Sequence, residues 1–207
     1  MTYASKPLPF QNELLGISKK TTDIHHDKLY AGYVAKLNEL GEKLMAFERG
    51  GDLSAANQTY SELRALKDGE TFATNGVYLH EWYFEALGGN GEAPETLEVV
   101  DAIKKQFESF ENFVNYFSAC GMAARGWVVL AWDNHAQDLR VFTSDAHNQG
   151  GVWGAAPILV LDVYEHAYFI DHGADRKAYI LDFWKNLNWQ KINKLYLAAR
   201  GYNQKYD

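Results

Sequence analysis

Cysteine is nearly absent from this chain, and its scarcity excludes two kinds of chemistry. The 207 residues include one cysteine, Cys120, so the chain can form neither an intramolecular disulfide nor a redox-active dithiol. Long apolar runs are absent too. No segment approaches the roughly 18 uninterrupted apolar residues of a membrane span, and residues 1–25 lack the apolar core of a signal peptide. We therefore expect a cytoplasmic protein that does not enter the membrane.

Positive charge is the third shortage. Lysine and arginine number 20 against 27 aspartates and glutamates, which gives a net charge of -7 at pH 7. This balance disfavours nucleic acid as a partner and repels anions at long range, so chemistry on an anion would need local positive charge. Apolar residues, by contrast, make up 47% of the chain and aromatic residues 14%. That content suffices for the core of one or two small domains.

The segment Asp162–Tyr168 is the most informative motif. It follows the apolar stretch 158–161 directly, and that stretch predicts a buried strand. Asp162 at the strand end and His166 four positions later would supply two metal-type ligands from one turn. Because an unpaired buried carboxylate costs several kcal/mol, we expect a cation, an arginine or a dense hydrogen-bond network beside Asp162.

Helix signals dominate the first part of the chain. Residues 21–23, Thr-Thr-Asp, are predicted to cap a first helix that ends at the glycines 50–51. A second helix is predicted over residues 55–87, continuous or restarting near Phe72. It ends at the Gly-Gly-Asn-Gly run 88–91, which is the best domain boundary in the sequence.

The second part of the chain mixes helices and strands. We predict an α+β fold: an N-terminal antiparallel helical hairpin, residues 1–90, followed by a C-terminal domain, residues 91–207, with a three-stranded antiparallel sheet flanked by helices. The elements predicted there are a helix at 109–124, strands at 126–132, 139–143 and 158–162, and two closing helices at 177–187 and 190–200.

Several short motifs together resemble the iron/manganese superoxide dismutases. The resemblance extends from about Leu8 to Ala199, nearly the whole chain. It implies a two-domain subunit with one mononuclear metal site between the domains. Besides Asp162–Tyr168, the motifs that carry it are Leu8-Pro9-Phe10, Ile24-His25-His26-Asp27-Lys28 with Tyr33-Val34, Phe183-Trp184 and Asn188-Trp189.

This resemblance implies one iron or manganese ion held by three histidines, one aspartate and a solvent molecule. Three imidazoles and a carboxylate suit iron or manganese, although the same donors also build zinc sites. Iron is favoured because Val160 resembles iron-type members, while Gly76 with a donor from a loop also occurs in manganese ones. The implied metal ligands are His25, His80, Asp162 and His166.

Two further site residues follow from the resemblance. One residue is expected to hydrogen-bond the metal-bound solvent, and Gly76, one turn before His80, cannot supply it. His147, in the loop after the second strand, is therefore the expected donor and is expected to fill the space left over Gly76, with Gln149 as the alternative. Tyr33 is the expected phenol at the substrate gateway.

Three positions depart from the pattern of the family. Leu79 stands where an asparagine usually precedes the second histidine ligand, Leu29 replaces a histidine of the gateway, and Tyr164 replaces a tryptophan between the last two ligands. Because residues around a metal site orient its ligands and tune the metal, we expect substrate access, proton supply and redox potential to differ.

The function implied by the resemblance is disproportionation of superoxide to dioxygen and hydrogen peroxide. Two alternatives stay open: a metal-binding homologue with little dismutase activity, and a zinc-type hydrolase. The resemblance also implies a homodimer in which Glu165 contacts His166 of a second subunit, since a carboxylate between two ligand positions needs a counter-charge. Tyr168 is expected at the same interface.

Overall fold

The computed structural model describes residues 2–201. Residue 1 and residues 202–207, at the outer ends of the two predicted domains, lie outside the described residues. The elements of the N-terminal part are all helical: α1 (Lys19–Ile24), a π-helical turn (His25–Tyr30), α2 (Ala31–Glu48) and α3 (Glu62–Ala86). α2 and α3 pack against each other as a hairpin.

Both helix starts predicted in this part are wrong. Ser18 is the N-cap of α1, because its hydroxyl accepts a hydrogen bond from the Thr21 backbone N–H. Residues 55–61 are not helical: the Asn57 carboxamide oxygen accepts from two backbone N–H groups of the turn that follows it. This Asx-type turn competes with the helix. α3 begins only after Ser61, whose hydroxyl caps it.

The C-terminal part combines a sheet with helices, as predicted. The elements of this part are α4 (Glu98–Phe107), α5 (Phe110–Ala123), β1 (Trp127–Asp133), β2 (Asp138–Ser144), β3 (Ala155–Asp162), a short 3-10 turn (Glu165–Ala167), α6 (Phe169–His172), α7 (Arg176–Lys185) and α8 (Trp189–Gly201). The helix α4 was not predicted, although Val99, Val100 and Ile103 give it a buried face at helical spacing.

The sheet has the strand order β2-β1-β3, and both strand pairs are antiparallel. Trp127, the first residue of the central strand, lies opposite Ser144 of β2 and opposite Asp162 of β3. β3 and α3 pack against each other, which brings the strand end at Asp162 to the helical hairpin. The α+β prediction is confirmed. Within residues 2–201 no helix is long and apolar enough to cross a membrane.

Candidate metal centre

Four side chains from four separate elements converge between the hairpin and the sheet. His25 begins the π-helical turn and His80 lies in α3, while Asp162 ends β3 and His166 lies in the 3-10 turn. Each offers one ligand atom, and these four atoms lie within 4.8 Å of one another. The structure thus brings together all four residues that the sequence singled out as ligands.

The distances fit a single ion. Asp162 Oδ2 lies 3.1 Å from Nε2 of His25, 3.1 Å from Nε2 of His166 and 3.8 Å from Nε2 of His80. Ligand atoms about 2.1 Å from a common ion are about 3.0 Å apart at a right angle and about 3.6 Å apart at 120°. The two separations of 3.1 Å are therefore close to a right angle at the ion, and the separation of 3.8 Å corresponds to an angle somewhat above 120°.

His80 supplies independent support for a cation. Its Nδ1 lies against the main-chain carbonyl of Gly76, one turn earlier in α3. Because that oxygen can only accept, Nδ1 carries the proton and Nε2 carries the lone pair. Nε2 is buried and has no hydrogen-bond partner among the described residues. An orphaned buried acceptor costs about 1–3 kcal/mol, and a bound metal ion would satisfy it.

The electrostatics of the site favour a carboxylate at Asp162 and neutral imidazoles at His25 and His80, but shift His166 toward its protonated form. Burial alone would raise the pKa of Asp162, but the charge and hydrogen bond of His166 and the hydrogen bond from His25 hold that pKa well below its usual range. Burial lowers the pKa of His25 and, further, that of His80. Burial opposes the charge on His166 too, yet Asp162 raises its pKa overall. Carboxylate and neutral imidazole are the forms that bind metal, so Asp162, His25 and His80 are already in those forms, and binding through His166 requires its neutral form.

Asp162 is also held through its Oδ1 and its main-chain oxygen, while Oδ2 faces the three histidine rings. Oδ1 accepts a hydrogen bond of 2.9 Å from the Tyr164 backbone N–H. The main-chain oxygen of Asp162 accepts a bond of 2.8 Å from the Tyr179 hydroxyl, which lies 3.2 Å from the hydroxyl of Tyr83. Since the single proton of Tyr179 goes to Asp162, Tyr83 donates to Tyr179. Tyr83 also packs on the ring of His25, so one buried pair of phenols connects two of the four side chains.

Tyr33 occupies the space over Gly76. A Cβ at position 76 would lie 2.7 Å from a ring carbon of Tyr33, so the absent side chain admits the phenol. The expectation that His147 fills this space is therefore wrong in its geometry, and His147 instead packs edge-on against Tyr33. Burial and the nearby charge of Asp162 raise the pKa of Tyr33, which keeps its hydroxyl protonated.

His147 is held as a donor. It is buried, and the indole Nε1 of Trp127 lies 2.9 Å from its Nδ1. An indole N–H can only donate, so Nδ1 accepts, and in the neutral ring the proton lies on Nε2. Burial lowers the pKa of His147 to about 4, which favours that neutral form. The alternative, Gln149, is exposed, and its main-chain oxygen accepts from the hydroxyl of Ser144.

The remaining residues predicted near the site lie at its edge or elsewhere. Glu165 is exposed beside His166. Tyr168, expected at a subunit interface, is only 4% exposed within this chain, where it accepts a hydrogen bond from Arg176. Leu29 is half-buried on the π-helical turn, while Tyr30 is almost fully buried.

Sequence reasoning missed three residues around the site. Tyr30 packs near His80 and donates to Glu81, but α-helical periodicity places it away from His25, and only the π-helical turn brings it inward. Asn75 and Tyr179 act through main-chain carbonyls of distant segments. No local pattern in the sequence marks such contacts.

Comparisons with known proteins agree with this geometry. Residues 2–88 match the family described as iron/manganese superoxide dismutases, alpha-hairpin domain, and residues 94–195 match the C-terminal domain of the same family. The chain is 43% identical over 188 residues to superoxide dismutase [Fe] of Aquifex pyrophilus, covering 90% of this chain and 87% of that protein. It is 34% identical over 192 residues to superoxide dismutase [Mn] of Haloarcula marismortui, covering 92% and 91%. Matches of this extent show that the chain belongs to the iron/manganese superoxide dismutases.

Proposed function

We propose that His25, His80, Asp162 and His166 hold one iron or manganese ion with which this superoxide dismutase disproportionates superoxide. The observation that carries the proposal is the approach of four donor atoms to within 4.8 Å of one another in a buried site. An ion held by these four side chains would supply one-electron redox chemistry between two superoxide molecules. The products are dioxygen and, after uptake of two protons, hydrogen peroxide.

The protein itself must deliver protons to the site. We assign this role to the Nε2–H of His147 and the hydroxyl of Tyr33, whose rings lie 4.7 Å apart. Trp127 supports the assignment, because its hydrogen bond to Nδ1 keeps the proton of His147 on Nε2. The raised pKa of Tyr33 keeps its phenol in the donating form.

Aromatic residues around the site control the access of water and substrate. Tyr33, Tyr164 and Trp127 surround the rings of His80, His147 and His166 with aromatic surface. An aromatic wall limits water around the site and strengthens the interactions of the few polar groups inside it. Leu29 and Leu79 add apolar surface at positions where the family pattern has polar side chains, which should shift proton supply toward His147 and Tyr33.

The test is to measure metal content and dismutation together. The purified chain is reconstituted separately with iron and manganese, and superoxide loss is measured per bound metal. Asp162→Ala should lose both metal and activity, because the carboxylate contacts two of the three rings. His135→Ala, at an exposed histidine, is the matched control and should keep both. Stoichiometric metal without dismutation would instead identify a metal-binding homologue. Hydrolytic activity with zinc, which has no redox chemistry, would indicate a hydrolase.

We favour iron as the native metal. Val160 beside the end of β3 supports this choice, and one of the similar proteins reported above is an iron enzyme. Manganese is the alternative, since another is a manganese enzyme. Metal analysis of protein purified without added metal, followed by activity after exchange, distinguishes the two.

We also propose a homodimer through Glu165 and His166. Glu165 is exposed and adjacent to a ligand position, and the neighbouring Phe169 and Ile170 are 55% and 46% exposed. A second copy would cover these apolar side chains and give Glu165 a counter-charge. Glu165→Ala should weaken the dimer in sedimentation equilibrium, and an unchanged association constant would contradict this arrangement.

A division into domains at residue 90, with the metal site between them, and a cytoplasmic location are proposals of the same kind. The two family matches end and begin on either side of residue 90, which supports the first. Limited proteolysis near the 88–91 run would test the domain division, and subcellular fractionation would test the location.

A further inference from the structure

The loop between β2 and β3, residues 145–154, carries His147 and is tied to α3 at two points. The side-chain N–H of Asn75 donates a hydrogen bond of 2.8 Å to the main-chain oxygen of His147. The side-chain N–H of Asn148 donates one of 3.0 Å to Asp68. The first bond is partly buried and reaches His147 itself, while the second is exposed and joins two surface side chains.

His147 is thereby held at both ends. Trp127 of β1 fixes its ring through Nδ1, and Asn75 of α3 fixes its main chain. Phe72, one turn before Asn75, packs 4.5 Å from the His147 ring, centroid to centroid. Gly76, against which Tyr33 lies, directly follows Asn75 in α3. One stretch of α3 thus determines where both proton-donating side chains sit relative to the four converging ligand side chains.

We propose that Asn75 is a positioning residue for superoxide dismutation, because its carboxamide sets the main-chain position from which His147 presents its Nε2–H. This inference rests on the proposed role of His147. Irregular loop backbone needs partners for its buried carbonyls, and Asn75 supplies one from the opposite domain. The indole alone fixes the tautomer of His147 but leaves the main chain free to shift, and a displacement of about 1 Å can reduce a rate by about 100-fold.

The experiment compares Asn75→Leu with Asn148→Leu. Leucine has a similar branched shape without the donor, so the first variant removes the bond to His147 and the second removes only the exposed tie between the same loop and helix. Three quantities are measured: the imidazole nitrogen resonances of His147 by NMR in the metal-free protein, the iron or manganese content after reconstitution, and dismutation per bound metal.

Asn75→Leu should shift or broaden the His147 resonances and lower dismutation by about 10- to 100-fold, with metal content unchanged. Asn148→Leu should resemble the unmodified chain in all three. Unchanged resonances and activity in Asn75→Leu would overturn the proposal, as would equal effects of the two variants or a loss of metal in Asn75→Leu.

His147→Ala, measured alongside, separates this inference from the function on which it rests. If His147→Ala keeps full dismutation, the role assigned to His147 is wrong and the positioning role fails with it, although Asn75→Leu still alters the spectrum. If His147→Ala is impaired and Asn75→Leu is not, only the inference about Asn75 fails.

Discussion

His80→Leu should have opposite effects on the metal-free and the metal-bound protein. In the metal-free chain, Nε2 of His80 is a buried acceptor without a partner among the described residues. Leucine has a similar volume and no polar atom, so it removes the cost of the orphaned nitrogen, about 1–3 kcal/mol, and loses the hydrogen bond from Nδ1 to Gly76, about 0.5–1.5 kcal/mol. The free energy of unfolding should therefore rise by about 1 kcal/mol. With metal, the variant has lost a ligand and should gain little.

The size of the metal effect can be stated in advance. A ligand that binds only the folded state stabilises it by about 4 kcal/mol when its free concentration is about 1,000 times Kd. For a chain of this length each kcal/mol corresponds to about 2–4 °C in Tm, so the unmodified protein should gain about 8–16 °C. His80→Leu should gain at most a few degrees under the same conditions.

The assay is calorimetric unfolding in chelator and in excess iron or manganese under anaerobic conditions. His135→Ala serves as control and should keep the full metal-induced rise in Tm. A rise retained in His80→Leu would show that His80 is not a ligand. An unmodified chain without a rise would show that the four donors do not bind the ion.

Three further outcomes are expected of the metal-free protein. Tyr179→Phe should lower the free energy of unfolding by about 1–3 kcal/mol, because the main-chain carbonyl at the end of β3 loses its buried donor; urea unfolding should show no comparable loss for Tyr116→Phe, at a tyrosine that is 52% exposed. The pKa of His147 is lowered from 6.5 to about 4, so between these pH values the unfolded state binds more protons and the free energy of unfolding falls as pH drops. His147→Leu should reduce this slope by up to about 1.4 kcal/mol per pH unit. An identical slope would refute the lowered pKa of His147. Ser18→Ala should cost about 1 kcal/mol through loss of the α1 cap, whereas an unchanged urea midpoint would place the cap elsewhere.

Much of the fold and the converging cluster could be predicted because the information is local. The apolar run before Asp162 and the spacing to His166 indicate a strand followed by a turn, and the glycines at 88–91 mark the end of α3. What could not be predicted depends on contacts distant in sequence. Asn75 reaches a carbonyl 72 positions later and Tyr179 one 17 positions earlier, and periodicity carries no signal of either.

The π-helical turn His25–Tyr30 limited the prediction in a different way. A strict α-helix places residues four and eight after His25 on one face, which favours Leu29 and Tyr33. The turn uses one more residue, so Tyr30 and Val34 are the buried positions and Leu29 moves toward the edge. An extra residue in one turn changes the helical phase without a characteristic residue type.

The sheet register has a consequence for engineering. Trp127 pairs with Ser144 on one side and Asp162 on the other, so the strand ends near the cluster are aligned at one end of the sheet. The β1–β2 hairpin turn, residues 134–137, lies at the opposite end, about 20 Å away along a seven-residue strand. A reporter peptide or a second binding module inserted after the exposed His135 would therefore lie at the end of the sheet far from the cluster. Such a fusion should leave the pairing of Trp127 with Asp162 unchanged.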